Sequence, residues 1–102
     1  MTHAEFMAYV DTLTDTDRMD LLRLILSDEM RDERGKIWLK NYKEKSNTQE
    51  WRDIMQKRDA LLGKLNPTAE ESAEIEKLDE KIDDLMCAEF YDLVKQTFER
   101  KH

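Results

Sequence analysis

Apolar positions near the start of the chain recur at helical spacing. Phe6 and Val10 lie four residues apart, so they share one face of a helix. Thr2 is followed three residues later by Glu5, which is the pattern of a capping box at a helix start. These features predict a short N-terminal helix that ends near Thr12.

A second apolar face begins after Thr14, which precedes two acids suited to a first helical turn. Its members are Met19, Leu22, Ile25, Leu26 and Met30. The later apolar residues Trp38, Leu39 and Tyr42 lie on roughly the opposite side at about 100° per residue. Because glycine commonly ends a helix, this change of phase predicts a second helix that is kinked or broken near Gly35.

A third apolar stripe, at about 48–65, has the alternating spacing of three and four residues that is typical of a coiled-coil seam. Its members are Trp51, Ile54, Met55, Leu61, Leu62 and Leu65. Two alternative capping boxes precede it, namely Asn47 with Glu50 and Ser46 with Gln49. Pro67 follows the stripe and ends this helix, because proline lacks the backbone N–H.

The last predicted helix, at about 69–100, is the longest and begins at a capping box of Thr68 and Glu71. Its inner face consists of Ile75, Leu78, Ile82, Leu85, Met86, Phe90 and Leu93. A helix of about 32 residues is roughly 48 Å long, which exceeds the diameter of a compact domain of this size. We therefore expect an elongated molecule.

The turn around Pro67 is too short for any connection except one that folds back on itself. The segments at about 48–65 and 69–100 are therefore predicted to form a long antiparallel helical hairpin. In that register Arg58 lies across from Glu76 or Asp79, and one of these acids is its expected partner.

Composition supports an all-α protein. The 102 residues include only two glycines and one proline, far below the usual proportions of about 7% and 5%. Sheet folds need these residues at their turns, so the sequence argues against them. The length suffices for one core, and we expect a single helical domain over 1–102.

The net charge of −7 is distributed unevenly, with 4 acids and 8 bases in 35–65 but an acidic excess on either side. In this middle segment aromatic residues alternate with cations, as in surfaces that grip single-stranded nucleic acid. We expect no direct nucleic-acid binding, because the acidic last helix would oppose phosphate. Trp38 and Tyr42 are instead interpreted as core residues.

Residues suited to catalysis, metal binding or cofactor binding do not converge in the sequence. The two histidines, His3 and His102, stand at opposite ends of the chain, and no metal or nucleotide motif is present. Glu89 falls inside an apolar stripe, where an ion pair between helices or an opening of the seam to solvent explains it. We therefore predict a non-enzymatic protein without cofactor or metal.

The cellular compartment of the protein is predicted from features that the sequence lacks. The single cysteine, Cys87, cannot form an intramolecular disulfide and fits a reducing compartment. No apolar run approaches the roughly 18 to 20 residues of a membrane span. The first residues carry acids and no Lys or Arg, so we expect neither a signal peptide nor a transit peptide. A cytoplasmic protein without membrane contact is predicted.

The outer side of the last helix carries carboxylates one turn apart, which form an acidic ridge. Its members are Glu76, Asp79, Glu80, Asp83 and Asp84. Like charges at this spacing destabilise a helix by about 0.2–0.5 kcal/mol per pair. The leading hypothesis is a small helical regulator or inhibitor that docks this ridge on a basic surface of a partner protein, such as a nucleic-acid-binding face. The alternative explanations are a solvated face that only promotes solubility and internal pairing of these acids with the basic middle segment.

Beyond the ridge, the same helix carries a second apolar strip that includes Tyr91, Val94 and Phe98. The helix at about 48–65 is too short to reach these residues. Either the N-terminal helices or a second subunit must cover the strip. The alternative function is accordingly a homodimeric structural or assembly module built on the helical hairpin.

Overall fold

The computed structural model describes residues 1–101, and the second histidine, His102, lies outside the described residues. Within them the chain is all-helical, with no strand. The five helices are α1 (His3–Asp11), α2 (Asp15–Ile25), α3 (Asp28–Lys45), α4 (Gln49–Leu62) and α5 (Ala69–Lys101). The predicted all-α class is confirmed.

Local hydrogen bonds explain where the first two helices begin. The Thr2 hydroxyl accepts the Glu5 N–H at 3.1 Å while the Glu5 carboxylate accepts the Thr2 N–H at 3.0 Å, so the predicted capping box is present. Thr12 caps the end of α1, and Thr14 caps the start of α2 by accepting the Asp17 N–H. These boundaries match the predictions.

The predicted break at Gly35 is wrong, because the chain interrupts the helix earlier, at Ser27. The Ser27 hydroxyl accepts the Met30 N–H at 3.3 Å, and acids follow in the first turn of α3. A hydroxyl cap contributes about 1 kcal/mol, whereas a glycine within a helix costs a comparable amount. Helix α3 therefore continues through Gly35, which has negative φ and open space around its Cα.

Helix α4 is shorter than the predicted segment at about 48–65. Thr48 caps its start by accepting the Trp51 N–H at 3.3 Å, so neither of the two predicted capping boxes forms. Gly63 caps its end. Leu65, predicted to lie in the seam, is 96% exposed beyond the helix.

Helix α5 has 33 residues, and each of the other helices packs against it. The predicted box of Thr68 and Glu71 opens it, with both hydrogen bonds at 3.1 Å. The main buried cluster consists of Phe6, Leu21, Met30, Met86, Cys87, Phe90, Val94 and Phe98. The molecule measures 45 × 31 × 20 Å with a radius of gyration of 15.9 Å, against about 13 Å for a compact domain of this length. It is elongated, as expected.

Two ion pairs connect α4 and the turn after it to α5. The Arg58 Nε donates to Asp79 Oδ1 at 2.7 Å, which confirms one of the two partners predicted for Arg58. In the turn after α4, the Lys64 ammonium pairs with the Glu71 carboxylate. None of the helices within residues 1–101 has the combination of length and apolar character that crossing a membrane needs.

Candidate functional site

Three of the five acids of the predicted ridge have partners within the chain. Asp79 binds Arg58, and Asp83 accepts a hydrogen bond from the Tyr91 hydroxyl. Asp84 Oδ1 accepts the backbone N–H of His3 at 2.9 Å. His3 is the first residue of α1, where backbone N–H groups lack helical partners and the helix dipole favours an anion. Asp84 therefore helps to fix α1 on α5.

The remaining two ridge acids, Glu76 and Glu80, are exposed. Neither takes part in an ion pair with any residue in 1–101. They lie one turn apart on α5. This pair is the part of the ridge that stays free to contact another molecule.

A cleft of about 350 Å³ opens beside Glu80, between α1, α3 and α5. Its lining residues are His3, Arg34, Asp79, Glu80, Asp83 and Tyr91. Three of these belong to the predicted ridge, so the structure gathers them at one place with an opposing cation. Sequence reasoning did not single out Arg34, because its guanidinium reaches the site through tertiary packing, 5.7 Å from the ring centroid of Phe90.

The two nucleophilic or phenolic groups near this cleft are held in their protonated forms. Burial, followed by the hydrogen bond to Asp83, raises the pKa of Tyr91. Burial also raises the pKa of the Cys87 thiol, and the charge of Asp83 adds to the shift. Only the thiolate is nucleophilic, so the geometry does not make Cys87 reactive.

We expect Cys87 to resist alkylation by iodoacetamide in the folded protein, because its side chain is buried and its pKa is raised. The rate at neutral pH should be lower by about tenfold or more than in urea-unfolded protein. Mass spectrometry of samples quenched over time measures both rates. Equal rates in the two states would contradict this placement of the thiol.

The predicted apolar strip is covered within the chain. Val94 is fully buried and Phe98 is 4% exposed, in the same cluster as Phe6 and Leu21. The half-buried Tyr91 ring stacks on Phe6 with centroids 4.9 Å apart. The sequence left two candidates for covering this strip, the N-terminal helices or a second subunit. In the structure the N-terminal helices cover it. Val94 and Phe98 therefore present almost no surface to a second subunit.

A second group of side chains differs from its prediction. Trp38 and Tyr42 were interpreted as core residues, yet each is 41% exposed. Their rings stack with centroids 5.2 Å apart, and Tyr42 meets Trp51 edge-on at 5.9 Å. The face of α3 that packs inward carries Met30 and Asn41, so these aromatic rings lie on its flank.

Glu89 forms an ion pair between helices, one of the two explanations offered for its position in the apolar stripe, with Lys40 Nζ 3.6 Å from its carboxylate. Within residues 1–101, no group of three or more His, Cys, Asp and Glu side chains has an arrangement that could hold a metal ion. Comparison with known proteins found no matching family model, no matching curated protein and no matching solved structure.

Proposed function

We propose that this protein is a non-enzymatic interaction module that docks the acidic face of α5 on a basic surface of a partner protein. The observation that carries the proposal is the exposed pair Glu76 and Glu80, neither of which forms an ion pair with a described residue. Repulsion between them opposes helix formation by about 0.2–0.5 kcal/mol. The pair does not stabilise the folded chain, whereas a cationic surface of a partner protein would be attracted to it.

Neighbouring groups reinforce the negative potential at this face. Asp79 remains about half exposed although it binds Arg58. The whole chain carries a net charge of −7. Complementary charge speeds the encounter of two proteins and fixes their orientation. A protein surface that binds nucleic acid has a high density of Lys and Arg side chains. The favoured hypothesis is therefore that this chain regulates or inhibits a protein with such a surface.

The proposal includes the antiparallel hairpin of α4 and α5 as the support of the acidic face. Two ion pairs favour it, because Arg58 of α4 reaches Asp79, whereas Lys64, which follows α4, reaches the earlier residue Glu71 of α5. Ile54 and Leu78 supply buried apolar positions in the two helices. Packing on α4 would hold the start of α5 rigid, so that its carboxylates keep a fixed spacing before the partner arrives.

The double variant Glu76→Lys/Glu80→Lys tests the acidic face. A pull-down from native cell extract, followed by mass spectrometry, identifies the partner, which is then titrated against both forms in a stopped-flow instrument. We expect the association rate at low salt to fall by about tenfold or more, because steering by charge is lost. Added salt should reduce the difference, since it screens exposed charges.

The matched control is Glu44→Lys/Asp59→Lys, which changes the net charge equally at exposed positions on α3 and α4 rather than on α5. It should slow association much less. Circular dichroism should show unchanged helicity for both variants. An association rate that is unaffected by the Glu76 and Glu80 reversal, or equally lowered by the control, would rule out docking through this face.

A further inference from the structure

The flank of α3 exposes an aromatic and apolar surface that the proposed acidic face does not use. Trp38 and Tyr42 stand beside Leu39, which is 49% exposed. One turn before Trp38, Gly35 leaves bare backbone with nothing within 4 Å of its added Cβ position. Exposed Trp and Tyr side chains are enriched in the residues that dominate protein interfaces.

Three cations, Lys36, Lys40 and Arg31, lie on the same helix as this aromatic surface, and only some of them form ion pairs within the chain. Lys36 forms an ion pair with Glu33 at 3.5 Å, and Lys40 forms one with Glu89. Arg31 is exposed and forms no ion pair with any residue that the structure describes. The flank therefore offers the unpaired guanidinium of Arg31 next to stacked aromatic rings.

Two clefts meet at Arg34. The first, of about 350 Å³, is lined by Arg31, Arg34, Gly35 and Trp38 and is basic and aromatic. The second is the acidic cleft described above, which contains Glu80 and is also lined by Arg34. The two signs of charge thus lie side by side on one face of the molecule.

Because this face carries both signs of charge, two copies of the chain can bind to each other through the same face. In a twofold contact each subunit presents the same patch, so every group must find its complement elsewhere on that patch. We infer that a second copy of this chain binds here, with Arg31 and Trp38 of one copy against Glu80 of the other copy, and reciprocally. The exposed rings of Trp38 and Tyr42 lose water in the centre of the contact.

This dimer differs from the one that the sequence suggested. That one relied on the hairpin and on the strip of Tyr91, Val94 and Phe98, which the N-terminal helices cover. A standard interface takes about 800 Å² from each partner, roughly a ninth of the 7159 Å² surface of this chain. Helix α3, with 18 residues, is about 27 Å long and about 10 Å wide, so it supplies only part of this area and the contact must extend to α5 around Glu80.

Charge favours a second copy over nucleic acid as the occupant. A polyanion needs several available cations in a row, but Lys36 and Lys40 are engaged by carboxylates and the Arg34 guanidinium lies over the Phe90 ring. The nearby Glu80 would repel phosphate, whereas it is the required complement of Arg31 in a twofold contact. In the twofold contact, Glu80 of each copy would pair with Arg31 of the other copy.

Sedimentation velocity of the full chain, from micromolar to millimolar concentration, tests the inference. The native protein should self-associate reversibly. Arg31→Glu and Glu80→Arg should each raise the dimer dissociation constant by about tenfold or more, because each leaves like charges facing one another. The combined Arg31→Glu/Glu80→Arg protein should regain most of the lost affinity. Trp38→Ala should also weaken the dimer.

Lys43→Glu is the matched control, since it makes the same charge change at another exposed position of α3 and should leave the dimer intact. A protein that stays monomeric throughout, or a combined variant no better than its single changes, would overturn the inference. So would a monomer that binds a short oligothymidine through Arg31. Both contacts use Glu80, but the two results are separable, because Arg31→Glu weakens only the dimer and leaves Glu76 and Glu80 unchanged. Partner docking can therefore be measured on the Arg31→Glu variant.

Discussion

Phe90→Ala is expected to lower the free energy of unfolding by about 3–5 kcal/mol, the usual cost of removing a buried aromatic ring. Phe90 is 2% exposed and lies in the same buried cluster as Phe6, Leu21 and Met30. These residues come from α1, α2 and α3, so the cavity would loosen three helices from α5 at once. A chain of this length has a total stability of about 5–15 kcal/mol.

Urea unfolding followed by circular dichroism measures the effect of Phe90→Ala. Thermal unfolding should show a fall in Tm of about 15 °C or more. Leu65→Ala is the matched control, because Leu65 is 96% exposed and its truncation should change stability by less than about 0.5 kcal/mol. A loss below about 1 kcal/mol for Phe90→Ala would contradict the placement of this ring at the junction of the helices.

Helix starts could be predicted where the signal is complete within four residues. The boxes at Thr2 and Thr68 each pair a hydroxyl with a glutamate three positions later, and both form. The starts at Ser27 and Thr48 were missed because an apolar residue, Met30 or Trp51, stands at the third position. One hydroxyl suffices as a cap, so Ser27 followed by two acids was a usable signal.

The error at Gly35 shows the limit of arguments from helical phase. The apolar stripe was assumed to continue on one face until something interrupted the helix. The structure instead exposes Trp38 and Tyr42 on the flank of α3 and buries the polar Asn41. No local rule requires large aromatic residues to be buried, and the partner face of α3 is set by α5, far along the chain.

Charge pattern alone could not separate the acids that hold the fold together from those that stay free. Asp84 accepts the N–H of His3, 81 residues away in sequence. Asp83 and Glu80 look alike in the sequence, but only Asp83 meets the Tyr91 hydroxyl. Spacing along α5 predicted which acids share a side of the helix, whereas the identity of their partners depends on how α1 and α3 pack.

Asn41 gave no signal in the sequence, yet it is the one buried polar side chain within residues 1–101, with 2% of its surface exposed. Its Nδ2 donates to the Met86 carbonyl of α5 at 2.8 Å, while its Oδ1 is buried without a donor. One turn along α3, Lys45 donates to the neighbouring Leu85 carbonyl. These two bonds fix how α3 lies on α5.

Asn41→Asp is expected to destabilise the protein by about 3–5 kcal/mol at neutral pH, because it buries a charge without a partner. The new carboxylate has no proton to donate, so it faces the Met86 carbonyl oxygen that Asn41 now binds. Lys45 is already directed to Leu85. Urea unfolding at neutral pH, compared with the native sequence, measures the loss.

The pH dependence of Asn41→Asp separates charge from shape. Burial would raise the pKa of the new carboxyl above its unfolded value of about 3.9. The penalty should therefore be full above the folded pKa and shrink as the pH falls towards the unfolded one, where both states bind the proton. Asn41→Leu has a similar volume and removes the unpaired Oδ1, so it should change stability by less than about 1.5 kcal/mol. If Asn41→Leu is as damaging as Asn41→Asp, and the latter shows no relief in acid, the hydrogen bond to Met86 rather than the buried charge determines the stability of this contact.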